Sequence, residues 1–353
     1  MTIRHATLFA ASLFVAWAAP PGVSVTPVFG PETPTGRYKH PASIAELENG
    51  DLFLAWYGGD GEYEPGTAVY GSRCGRPDSK WTAPAVLARD PFYSVGNPVI
   101  WQAPDGLVWL WYVIRPGKTW SSSRIAVKVS KDGARTWSDS SVVSFEEGTM
   151  VRGKPIVLRN GDYLLPVWKE TGFDQELVGA DTVSFFLRYN PATKSWSEST
   201  RFGGRMGALQ PTVAQIDDAD LIAYSRRGGG YGAGTSGFIV RSESRDGGKT
   251  WARGVDTEFP NPNAAIDLLK LRNGHLVLIY NDSPNERTPL TVAISTDNGR
   301  TYPVRKNIAA GPHDYAYPFA IQTRDGKIHL VFTSEGRTVI NHAVFEESAI
   351  AGR

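Results

Sequence analysis

The stretch Ser130-Lys131-Asp132-Gly133-Ala134-Arg135-Thr136-Trp137 recurs with its spacing kept at residues 244–251, ending in Trp251, and again at 295–302, ending in Tyr302. It reads as a repeated hairpin turn. The Asp side chain supplies acceptors for loop amides, the following Gly or Asn tolerates positive φ, and the aromatic residue packs the turn against its own sheet. Two worn copies end in Trp81 and Trp196, so the five aromatic ends fall 51 to 59 residues apart. A period of that length predicts a radial array of small sheets. A second marker runs in phase with the first: Asn49-Gly50, Asp105-Gly106, Asn160-Gly161, Asp217-Asp218, Asn273-Gly274 and Asp325-Gly326. Each precedes a short apolar run such as Leu52-Phe53-Leu54-Ala55-Trp56 or Leu276-Val277-Leu278-Ile279. Runs this short, bounded by turn dipeptides, are inner strands buried on both faces. Six markers predict an all-β, six-bladed β-propeller with Asp-box turns on one face and site loops on the other, closed by an N-terminal strand pairing into the last blade.

The repeat leaves no gap for a linker, so residues 19–353 are read as one domain. Arg4 and His5 precede an apolar run from Ala6 to Ala19, with Ala16-Trp17-Ala18 as a cleavage site; residues 1–18 read as a signal peptide too short to be a membrane span. Export to the periplasm or the extracellular space follows, with the single Cys74 unable to form an intramolecular disulfide. A formal charge of +1 gives no whole-molecule steering of polyanions, and nucleic acid is not an expected partner. No His/Cys cluster has metal-ligand spacing, and the glycine-rich segment 226–237 lacks the features of a phosphate cradle; no cofactor or metal is expected. A monomer is expected.

The Asp boxes, the opening segment Tyr38-Lys39-His40-Pro41-Ala42 and the late segment Tyr315-Ala316-Tyr317-Pro318 together resemble the sialidase (neuraminidase) superfamily, in particular its bacterial BNR-repeat branch, over residues 36 to 346. In that superfamily three arginines clamp the substrate carboxylate, a Tyr activated by a Glu is the nucleophile, and an Asp on a loop is the acid/base. The resemblance implies Tyr317 as nucleophile and Arg226 and Arg287 as clamp residues, a role that suits the bidentate guanidinium fork. Two departures stand out. Lys39-His40-Pro41 replaces the first clamp arginine's Arg-Ile-Pro motif, putting Lys39 forward as its substitute, and Gln210 replaces the activating Glu. Gln cannot accept the tyrosine proton, so ionisation of Tyr317 would rest on nearby cations. The acid/base is placed on the loop 58–65, with Asp60 first and Glu62 and Glu64 as alternatives.

Other polar residues sit at blade starts: Asn97, Arg152, Lys154, Asn263 and Asp267, of which Asn263 and Asp267 are the strongest substrate-binding candidates. Arg227 reads as a solvated neighbour of Arg226, and Arg337 and His342 as structural. Trp120, Tyr63 and Tyr231 are candidate platforms for a sugar ring, whereas Trp168 reads as blade core. His40 has two readings, a satisfied histidine beside Pro41 or a general base. Three functions follow: an exported sialidase-like glycosidase acting on a terminal acidic sugar of a glycan, a uronate lyase in which His40 takes the α-proton and Tyr317 protonates the leaving oxygen, or a non-catalytic carbohydrate-binding propeller.

Overall fold

In the computed structural model, residues 18–75, 80–144, 146–173, 175, 177–231 and 237–352 are described. Of the leader read from sequence, residues 1–17 therefore lie outside the described residues, as do residues 76–79 of the worn turn before Trp81. The strands form six antiparallel sheets. The first blade runs Tyr38–Glu46, Leu52–Gly59, Ala68–Cys74 and Ala85–Arg89 from the axis outward. The others repeat this order, except that the innermost strand of blade three is split into Thr149–Val151 and Ile156–Val157, both paired with Tyr163–Lys169. The last blade is completed by the first strand. Val23–Phe29 pairs antiparallel with Val339–Phe345, outside Ile328–Ser334 and the axial strand Tyr315–Gln322. The α-helix among the described residues is the five-residue Glu347–Ala351.

The apolar runs are the second strands of their blades, not the innermost ones. Leu52–Gly59, Leu221–Arg227, Leu276–Asn281 and Ile328–Ser334 are buried at every position because each is covered by neighbouring blades on both faces. That removal of apolar surface from water is the main stabilisation of each blade.

The Asp boxes close third-to-fourth strand turns. Asp132 accepts the backbone N–H of Thr136 at 2.9 Å and its hydroxyl at 2.6 Å, while Ser130 Oγ accepts the N–H of Ala134 at 2.9 Å. Asp246 and Asp297 do the same with Thr250 and Thr301. Each box also locks onto the blade before it: Arg73, Arg188 and Arg241 donate to the carbonyls of Gly133, Gly247 and Gly299. The Asx-Gly turns join first to second strands, so antiparallel order puts both kinds of turn at one end of the ring. Loops from second to third strands, and from one blade to the next, gather at the other end.

At that loop end the innermost strand carries the same defect in four blades. The register slips by one residue between Lys39 and Ala42, Gly96 and Val99, Leu209 and Thr212, and Ala316 and Phe319. In each case the extra residue belongs to an X-Pro pair: His40-Pro41, Asn97-Pro98, Gln210-Pro211 and Tyr317-Pro318. Proline has no N–H to contribute to the ladder, and a bulge re-aims the side chain beside it. Asn97, Gln210 and Tyr317, with Asn263 in blade five, have φ between 47° and 57°. This left-handed conformation costs a bulky side chain energy, and its recurrence around one axis marks the region where the fold holds side chains in set directions.

Candidate active site

The bulge residues and the second-to-third strand loops surround a cavity at the loop end, lined among others by Glu62, Asn97, Glu170, Gln210, Arg226, Tyr317 and Arg337. Tyr317 stands at its floor, with little of its surface exposed. Its Oη accepts from Arg226 Nη1 at 3.0 Å, and Gln210 Nε2 lies at 3.4 Å. Arg226, at the end of the second strand of blade four, is held on every side. Nε donates to Asn263 Oδ1 at 2.6 Å, Nη1 also meets Gln210 Oε1 at 3.2 Å, and Nη2 donates to Tyr231 Oη at 3.0 Å. Asn263 is fully buried. Its Nδ2 donates to Gly229 O at 2.7 Å, and its own carbonyl accepts from Arg287 Nη2 at 3.2 Å. It aligns two arginines, a different place from the substrate contact read in sequence.

Burial pushes the Tyr317 phenol up, but Arg226, Arg287 and Arg337 together outweigh burial, and its pKa lies below the ordinary tyrosine value. Arg287 is 5.6 Å from the centroid of the Tyr317 ring and 5.8 Å from that of Tyr231. Arg152, on the axis beneath, is 5.5 Å from the Tyr317 ring and donates to the carbonyls of Ile266 and Pro318. Cations thus surround a phenol beside which Gln210 offers no carboxylate.

His40 lies behind Tyr317. The rings meet edge to face with centroids 4.0 Å apart. The Thr333 hydroxyl donates to Ala316 O at 3.2 Å, which leaves its oxygen to accept from His40 Nδ1 at 2.8 Å. Nδ1 therefore carries the proton and Nε2 is a bare lone pair, buried with no partner among the described residues. Burial, and then Arg337, Arg287, Arg152 and Arg226, hold the imidazole well below the ordinary histidine pKa. It is a neutral base that the Tyr317 ring separates from the cavity.

Lys39 is elsewhere. The bulge aims His40 at the axis and turns Lys39 away, so that its buried Nζ donates to Gly36 O at 2.6 Å. The cation that lines the cavity beside Arg226 is Arg337, which sequence reading took for a structural residue, while Arg287 stands by the Tyr317 ring outside the lining. Its Nη1 donates to Glu62 Oε2 and to Tyr38 Oη, both at 2.8 Å. Asp60 is exposed and outside the cavity lining; Glu62 is the loop carboxylate that reaches in, where it also accepts from Tyr38 Oη at 2.8 Å. Behind it Arg115 lies against both Tyr63 and Trp120, 4.4 Å and 4.2 Å from the centroids of two rings that meet edge to face, and donates to the Glu62 carbonyl. Asp267 also has a structural position. It is fully buried, receives Lys154 Nζ at 2.5 and 2.6 Å and the backbone N–H of Ala320 at 2.7 Å, and ties blades three, five and six together. Arg227 is buried rather than solvated, donating to the carbonyls of Asn261, Gly228 and Gly230.

Glu170, which sequence reading missed, lines the cavity at the end of the second strand of blade three. Its Oε1 accepts from Trp168 Nε1 at 2.7 Å. Burial raises its pKa above the ordinary Glu value against the opposing pull of the Trp168 bond and of Arg226. The available signal was positional: Glu170 follows its blade's second strand as Arg226 and Arg115 follow or end theirs. Among the described residues no group of three or more His, Cys, Asp or Glu side chains is placed to hold a metal. Nor is any helix long and apolar enough to cross a membrane.

Fold and cavity together define a six-bladed, Asp-box propeller whose loop end carries a tyrosine ringed by arginines. The chain belongs to the BNR repeat-like domain family, which it matches over residues 50–330. Its fold is similar to that of the Hadza microbial sialidase Hz136, with a TM-score of 0.75 at 14% identity over 92% of this chain and 69% of that one. It is also similar to a Dyadobacter fermentans protein described as of unknown function, with a TM-score of 0.73 at 17% identity over 92% and 99% of the two chains. The Fusarium graminearum α-L-arabinofuranosidase Arb93A gives a TM-score of 0.66 at 16% identity over 93% and 99%. No curated protein matches the chain.

Proposed function

We propose that the protein is an exported glycoside hydrolase, acting as a single chain, that cleaves a terminal carboxylated sugar from a glycan, with Tyr317 as nucleophile. The observation that carries this reading is the convergence of Arg226, Arg287 and Arg337 on one buried phenol whose pKa they hold down despite burial. A phenolate formed this way is a competent nucleophile toward an anomeric carbon. The same cations suit a sugar carboxylate: Arg287 Nε and Nη1, and Arg337 Nε and Nη2, have no hydrogen-bond partner among the described residues. Tyr231 Oη occupies Arg226 Nη2, the position a carboxylate oxygen would take over on binding. Tyr63 and Trp120 offer ring faces at the cavity wall. The lyase alternative requires His40 to reach the substrate, and Nε2 is buried behind Tyr317.

The test is the product. Incubation with sialosides and with uronate glycosides is expected to release a free, saturated sugar acid from one of these classes. A new ultraviolet band from an unsaturated uronide would replace the hydrolase by a lyase, and saturable binding without turnover would leave a carbohydrate-binding protein.

A further inference from the structure

Expelling an alkoxide from a sugar requires a proton on the departing oxygen, and the donor has to face the cavity without being held as another group's counterion. Among the described residues two carboxyl groups line the cavity, Glu62 and Glu170. Glu62 is tied down: one oxygen takes both the Arg337 guanidinium and the Tyr38 hydroxyl at 2.8 Å, in an ion pair fixed to the wall. Glu170 is differently placed. One oxygen receives Trp168 Nε1 at 2.7 Å, and the other has no partner among the described residues. Trp168 is 1% exposed and lies within the strand Tyr163–Lys169, so the group that holds the carboxyl, one residue beyond the strand, is itself fixed by core packing. Arg226 links the two sides of the cavity, touching Tyr317 Oη and lying near enough to Glu170 to act on its charge.

From this arrangement we propose that Glu170 is the proton donor to the leaving oxygen, an inference that rests on the hydrolase reading above. In the first step the phenolate oxygen of Tyr317, its proton already lost to solvent, bonds to the anomeric carbon. The anomeric carbon–oxygen bond breaks with its electron pair going to the glycosidic oxygen, which takes the Glu170 proton and leaves as an alcohol. In the second step a water oxygen bonds to the anomeric carbon, one of its protons passes to the Glu170 carboxylate, and the electrons of the sugar–tyrosine bond return to Tyr317. One water is consumed, and both side chains regain their starting states. Burial supports the assignment independently of position, since it favours the protonated form of Glu170 in the resting site.

The experiment compares Glu170→Gln with the unaltered protein on two glycosides of the same sugar acid, sialyllactose with its alcohol leaving group and a nitrophenyl sialoside whose leaving group departs without a proton. Gln keeps the acceptor for Trp168, and a thermal melt checks that the fold is retained. The expected result is a fall of about 10²- to 10⁴-fold in kcat/KM on sialyllactose, with the aryl glycoside within about tenfold of normal. Equal losses on both substrates, or the leaving-group-selective loss appearing in Glu62→Gln instead, would overturn the proposal. A second readout does not depend on turnover. Infrared difference spectra between mildly acidic and alkaline solution should contain a protonated-carboxyl band that disappears in Glu170→Gln, and its absence from the unaltered protein would also count against the assignment. If neither sialoside is cleaved while that band is present, the sialoside substrate is wrong and the proton-bearing Glu170 stands.

Discussion

Replacing Arg226 by Met should separate the two tasks its guanidinium performs. In the resting site it donates to Tyr317 Oη at 3.0 Å. A hydrogen bond to a charged partner contributes about 1.5–3 kcal/mol, and each 1.4 kcal/mol is tenfold, so losing it should slow the nucleophilic step about 10- to 150-fold where the phenol is protonated. The sign with pH follows from which form is active. If the phenolate attacks, activity rises with pH through the Tyr317 pKa and is lost as pH falls below it. Removing the nearest of the three cations that hold that pKa down moves this limb toward alkaline pH. The assay is kcat/KM against pH on an activated aryl glycoside, with Arg226→Lys as an intermediate that keeps charge and loses the fork, and Tyr317→Phe as the inactive reference. The gap should narrow at high pH, where both phenols are ionised, to a pH-independent residue that reports the contact of Arg226 with the substrate carboxylate. A drop of the same size at every pH would refute the reasoning, because Arg226 would then act on the substrate carboxylate alone.

Arg287→Lys should weaken binding of a carboxylated sugar by about 1.5–3 kcal/mol while sparing its methyl ester, measured by calorimetry, since lysine keeps the charge and loses the fork. Asp267→Ala should cost about 3–5 kcal/mol in denaturant unfolding by stranding buried Lys154, and a merely binding-defective but stable variant would contradict the structural role of the pair. Acid should destabilise the fold through His40 and His342. Both have depressed pKa values in the folded protein, His342 at about 3 through burial and the neighbouring His329, so the stability they contribute is complete above the ordinary 6.5 and is lost as pH falls toward the folded values. Each should contribute a slope of about 1.4 kcal/mol per pH unit in that window, and unfolding midpoints that do not change between neutral and mildly acidic pH would show the burial to be misjudged.

The ring was legible because its signals are local and repeated. An Asp whose side chain must accept the amides three and four residues on leaves the same spacing wherever it occurs, and three copies set the period. Tyr317, Gln210, Arg226 and Arg287 could be singled out because the segments around them resemble the sialidase superfamily, and Asn263 because Pro260-Asn261-Pro262-Asn263 is a rigid loop that delivers polar side chains just before a strand. The innermost strand was harder, since a second strand buried on both faces is the more apolar of the two and draws the eye first. Lys39 was read as the substitute for a clamp arginine, but a bulge shifts the facing of a strand by one residue, and facing has a period of two, so its Nζ turns to Gly36 O instead. Only the repeated X-Pro pairs carry that information, with His40 standing to Pro41 as Gln210 does to Pro211. Glu62, Glu170 and Arg337 come from second-to-third strand loops of unequal length, where no spacing says which carboxylate or guanidinium reaches the axis. Asp267 and Arg227 were misplaced for another reason. Their partners, Lys154 and the carbonyl of Asn261, are distant in sequence, and burial of a charge cannot be read without them.

Of the described strands, the first in the chain is the one that finishes the last blade. Val23 pairs with Phe345 and Val25 with Ala343, so these residues must wait for almost the whole chain before finding their place. Until then Val339–Phe345, once made, presents an unsatisfied row of amides and carbonyls to whatever extended segment arrives. At high concentration that segment can be the corresponding strand of another copy, which makes the same pairs and joins two rings by exchange. The latch that seals one ring is thus also the place where two rings can become linked.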